Sequence, residues 1–151
     1  MRIYDFIDAQ KGYRINRDVI ALNDVYKSIL AAFKKANLGE YGTYNDGDGI
    51  TLSVPAGKVR FVLQYVKSSV LAEPQTYGRL VFVLNDKITG EDVPIAALQF
   101  NTDWTVYTSD SREKVFDSGF GGVALLDAGV NHIALGLNAA IVSYYTDRLK
   151  A

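Results

Sequence analysis

Ile50-Thr51-Leu52-Ser53-Val54-Pro55-Ala56-Gly57-Lys58-Val59-Arg60-Phe61-Val62-Leu63-Gln64-Tyr65 is the stretch that decides the fold. Ile50, Leu52 and Val54 fall on one side of an extended chain and Thr51 and Ser53 on the other, the two-residue period of a strand. Pro55-Ala56-Gly57 has turn chemistry, and the alternation resumes at Val59, Phe61, Leu63 and Tyr65. Together these predict an antiparallel hairpin.

Downstream, strands are expected at Arg79–Leu84, Val93–Phe100, Trp104–Thr108 and Lys114–Phe116. They are separated by Asn85-Asp86-Lys87 with Thr89-Gly90-Glu91, by Asn101-Thr102-Asp103, and by residues 109–113. A parallel crossover needs roughly a dozen residues or more, so these short connections make the sheet mainly antiparallel.

Upstream, Val19, Leu22, Tyr26, Ile29, Leu30 and Phe33 recur at steps of three and four. This predicts an amphipathic helix over 17–38, with Asn16 or Asp18 capping its start and Gly39 just past its end. A cluster at Ile3, Tyr4, Phe6 and Ile7, followed by Gly12, predicts a brief helix with a glycine stop. From about Asn131 the helical period returns at Ile133, Leu137, Ala140, Ile141, Tyr144 and Tyr145. The expected architecture is one α+β domain spanning residues 1–151. It comprises a mainly antiparallel sheet of five or six strands with an N-terminal and a C-terminal helix packed on one face.

The 151 residues are 48% hydrophobic and 22% charged, the composition of a folded globular chain. Sixteen basic against seventeen acidic residues leave a formal charge of −1, so no whole-molecule field draws the protein to nucleic acid or an anionic membrane. The first 38 residues hold seven basic and four acidic groups, a local excess better explained as a solvated helix face than as a nucleic-acid site. The absence of cysteine removes disulfides, thiolate nucleophiles and thiolate metal sites, and suits a reducing compartment. Met1-Arg2-Ile3-Tyr4-Asp5-Phe6 lacks the pattern of a secretory signal. Ile133–Tyr145 is shorter than the roughly 20 residues of a membrane span and is broken by Asn138 and Ser143. A cytoplasmic protein without membrane contact is the expectation.

Chemistry-bearing constellations are sparse. Asp46-Gly47-Asp48-Gly49 has the wrong register for a calcium loop, with Pro55 where a bidentate glutamate belongs, and reads as a turn. The glycine cluster Gly119, Gly121 and Gly122 reads first as a close turn from sheet to helix; the alternative is a loop receiving an anion through bare amides, with Arg112 or Lys114 helping to neutralise it, although no phosphate-binding lysine completes it. His132 is the sole imidazole and is expected in a capping or partly buried position. The acid pairs Glu91 with Asp92 and Asp110 with Glu113 read as turn residues. No metal site and no cofactor are expected.

Ten tyrosines and one tryptophan supply the amphipathic rings that favour interfaces. Ala134, Gly136, Ala139 and Ala140 permit close approach of a second element to the C-terminal helix. That helix is either enclosed within the chain or joined to a partner through Ile133, Leu137, Ala140, Ile141, Tyr144 and Tyr145. The expected function is a non-catalytic binding or assembly protein, acting on a second copy or another macromolecule. Such a profile would also suit a phage or mobile-element accessory protein. The alternative is a small-molecule (nucleotide or other anion) binder, or a weak hydrolase, using the Gly119–Gly122 loop.

Overall fold

A computed structural model describes residues 9–67, 75–108 and 114–150. Helix α1 (Ala9–Lys35) is followed by a 3-10 turn at Gly39–Tyr41. Strands β1 (Thr43–Asn45), β2 (Thr51–Val54), β3 (Gly57–Lys67), β4 (Thr76–Asn85), β5 (Asp92–Phe100), β6 (Thr105–Thr108) and β7 (Lys114–Asp117) come next, and helix α2 (Ser118–Lys150) closes the chain. The seven strands lie side by side in chain order, each antiparallel to the next.

The expected hairpin forms as read: Val54 faces Gly57 across a two-residue turn, and Leu52 faces Val59. The strand beyond the expected six is β1. It holds only three residues, too few to show alternation, and runs directly into Asp46-Gly47-Asp48-Gly49. That segment is the turn expected of it. The Gly47 N–H donates to Asn45 Oδ1 at 2.8 Å, and Gly49 takes a positive φ of 110° that suits glycine.

One face of the sheet carries the core. Leu52, Val59, Phe61, Leu80, Phe82, Leu84, Leu98, Phe100 and Val106 meet Leu22, Val25, Ile29, Ala32 and Phe33 of α1 and Val130, Ile133, Ala134, Leu137 and Ile141 of α2. Phe61 links the layers, edge-on to Phe33 at 5.1 Å and to Phe82 at 5.0 Å, the favoured geometry for ring quadrupoles. At Gly78 the Phe100 ring occupies the space a Cβ would need, so β4 admits only glycine there. Between β4 and β5 the register shifts after Phe82, which faces Ala96 while Val83 faces Pro94. Ile95 is the extra residue, and the proline, lacking an N–H, sits where the ladder is already interrupted.

Both helices start earlier than expected. Helix α1 runs from Ala9 straight through Gly12, Asn16 and Asp18, so neither polar residue caps it and Gly12 does not stop it. A helical glycine costs only roughly 1 kcal/mol, too little by itself to end a long helix. The brief helix expected at residues 3–7 lies outside the described residues. Gly39 does take the left-handed conformation, with φ 54°, although α1 has ended at Lys35. Helix α2 starts at Ser118 rather than near Asn131. Its glycines suggest a loop, yet Val123-Ala124-Leu125-Leu126-Asp127-Ala128 is rich in good helix formers.

Candidate interaction site on the C-terminal helix

Helix α2 lies against β2, β5, β7 and α1. Its inner side is fully occupied by the chain itself: Ile133, Leu137 and Ile141 are buried, and Ala134 lets the backbone approach closely. Ala140 is half-buried. Ile133, Leu137 and Ile141 are thus covered within one chain, and among the described side chains from Gly129 on the opposite side of the helix is the one open to a partner.

Two hairpin turns are fastened to this inner side by polar contacts. At the β2–β3 turn the Ala56 N–H donates to Asn138 Oδ1 at 2.7 Å. The side chain that interrupts the apolar run therefore satisfies a turn amide that no ladder reaches. At the β4–β5 turn, Asp86 is fully covered. Its Oδ1 accepts the N–H groups of Ile88 (2.8 Å) and Thr89 (3.2 Å). Its Oδ2 accepts the Tyr144 hydroxyl at 2.5 Å and lies 3.4 Å from Arg148 Nε. The Arg148 guanidinium stands 5.8 Å from the Tyr144 ring centre, and the Lys87 N–H donates to the Tyr145 hydroxyl oxygen at 3.1 Å.

The Tyr144 hydrogen bond, aided by the two turn amides and Arg148, holds the Asp86 carboxyl below the usual carboxylate range and outweighs the opposing effect of burial. The same bond pushes the Tyr144 phenol up. Asp92 is held down by the Asn85 side chain and then by Arg60, whose guanidinium donates to it at 3.0 Å. Each of these carboxylates is ionised and already engaged, which suits fastening rather than proton transfer.

The outer side of α2 is different. Leu135 (47%), Val142 (53%) and Leu149 (84%) are exposed at seven-residue spacing. His132, Ala139 and Thr146, also exposed, fall between them at alternating steps of three and four. That is the repeat of a coiled-coil seam. Gly136 and Ser143, exposed beside it, add no bulk. His132, expected at a cap or partly buried, instead stands on this solvent side within the helix. Asp147 is the one acid among the exposed residues of this side, next to Arg148.

Other features are weaker candidates. Gly119, Gly121 and Gly122 belong to the first turns of α2, so the expected loop is helical backbone. Lys114 opens β7, and Arg112 lies outside the described residues, as do Asp110 and Glu113. An open groove of about 400 Å³ lies between the end of α1 and β1, with Phe33 and Tyr44 in its wall and Lys34 3.8 Å from Asp46 at its rim. Burial, followed by the charges of Asp46 and Tyr26, pushes the Tyr44 phenol up. Trp104 turns the chain between β5 and β6 at a φ of 70°, unusual for a bulky residue, and is partly exposed. Among the described residues no group of three or more His, Asp or Glu side chains is placed to hold a metal ion, and no helix is long and apolar enough to cross a membrane. No protein-family model matches the chain, and no curated protein or solved structure matches it at a significant level.

Proposed function

We propose that this is a non-catalytic assembly protein whose outer α2 face pairs with the same face of a second copy. One observation carries the reading: α2 fills its inner side with its own chain and still presents Leu135, Ala139, Val142 and Leu149 to solvent in seam register. In a monomer these side chains bury nothing, whereas two such helices would interlock knobs into holes. A two-fold contact requires a self-complementary surface. This face meets that need with apolar and small side chains.

From His132 to Leu149 the face is about 27 Å long at 1.5 Å per residue. A strip of that length, one helix wide, falls toward the low end of specific interfaces, which bury about 800 Å² per partner. A weak, reversible dimer is the expected state. Sedimentation equilibrium tests it: the average mass rises with concentration through the micromolar range toward that of a dimer, and Val142→Lys holds it at the monomer. A mass that stays monomeric at every concentration would end the reading.

A further inference from the structure

Among the described side chains Ile141 is the last buried one of α2; from Val142 to Leu149 each is exposed or half-buried. The final two turns are nevertheless held on the body. Apart from the rings of Tyr144 and Tyr145 resting on the rim of the core, the fastenings are polar and all converge on one hairpin turn. They are Tyr144 and Arg148 to Asp86 Oδ2, and the Lys87 N–H to the Tyr145 hydroxyl oxygen.

We propose that residues 142–150 form a strap that lifts from the β4–β5 hairpin as a unit, with Asp86 as its clasp, while the helix up to Ile141 stays seated in the core. The division of labour within the Asp86 carboxylate makes the clasp separable from the turn. One oxygen shapes the hairpin through Ile88 and Thr89, and the other reaches only α2. Stability differs along a structure according to buried apolar contact, and a segment held by a few polar bonds opens more readily than one seated in a core. Opening frees the two tyrosine rings and the polar groups of residues 86–88. The strap is a property of the single chain and does not rest on pairing between copies.

Asp86→Asn isolates the clasp. The retained carbonyl oxygen still accepts the Ile88 and Thr89 amides, while the new NH2 group cannot pair with Arg148 and can only donate a neutral hydrogen bond to the Tyr144 hydroxyl oxygen in place of the charge-assisted one. Tyr144→Phe removes the hydroxyl and leaves the turn untouched. Amide hydrogen exchange on the full chain, read peptide by peptide, is the measurement. Residues 142–150 are expected to exchange about tenfold faster or more in both variants, with residues 130–141 and the β4–β5 ladder unchanged. Unaltered exchange at 142–150 in both variants overturns the proposal, and so does acceleration of 130–141 in step with it. If the asparagine variant does not fold, the phenylalanine variant alone decides by the same criteria.

Discussion

The two helices lie on the same sheet face and solve the same packing problem, but they treat solvent differently. In the half of α1 that carries the core, Leu22, Val25, Ile29 and Phe33 point inward, while Asp24, Lys27, Lys34 and Lys35 face water. Helix α2 packs Ile133, Leu137 and Ile141 just as tightly and places Leu135, Val142 and Leu149 on the far side. In that half of α1 the larger apolar residues are buried or half-buried and only the small Ala31 is exposed, whereas α2, from Gly129 on, leaves Leu135, Ala139, Val142 and Leu149 in solvent. The surplus is a surface feature, and on a surface a row of aliphatic side chains marks contact with something else.

The comparison first predicts equality on the inner sides. Leu22→Ala and Leu137→Ala should each cost about 2–5 kcal/mol in urea unfolding, the usual range for a buried leucine. A much smaller loss at Leu137 would mean that α2 is not seated as described. Next in size is Asn138→Ala, expected to cost about 1–3 kcal/mol because the Ala56 amide loses its acceptor. Asn138→Asp, which keeps that oxygen, should recover part of the loss.

On the outer sides the helices should diverge. Asp24→Ala on α1 and Val142→Lys on α2 should each leave monomer stability within about 0.5 kcal/mol. Only the α2 change should weaken self-association, by about tenfold or more, which corresponds to about 1.4 kcal/mol. Equal effects of the two on association would erase the distinction.

The last effect appears only in acid. The folded pKa of Asp86 lies below its unfolded value, so its contribution is complete above the unfolded value and is lost as pH falls through the folded one. Between pH 6 and pH 3 the wild type should therefore lose more thermal stability than Asp86→Asn. Parallel losses would mean that the clasp carries no ionisation-linked stability.

What the sequence discloses follows the range over which each structure is encoded. The hairpin at residues 50–65 is written in local alternation, and α1 in its spacing, so both are legible. Strand β1 is not, because three residues cannot show a period. The start of α2 is hidden by glycines that normally signal a turn, and its true extent depends on tertiary packing. Asn138 looks like a flaw in an apolar run until its partner, Ala56, is seen far upstream. Asp86 reads as an ordinary turn acid, and nothing local announces that Tyr144 and Arg148 will close on it. Tyr144 and Tyr145 were legible as rings seeking contact, but their partner is a hairpin of the same chain. Periodicity identifies which side of α2 is inward only together with the sheet it meets; a helix apolar on two sides leaves that choice open.

The order of the strands has a consequence for how the molecule is made. Each ladder joins neighbours in sequence, so loop closures are short and entropically cheap, and the contact order of the sheet is low. As the nascent chain lengthens, the sheet can zip strand by strand from its first hairpin. Helix α1, made first, can cover part of the sheet's oily side, but the part that Val130–Ile141 covers stays open until that segment is made. For most of that time the half-made chain offers a ready bed to any amphipathic helix nearby, including the last helix of another copy.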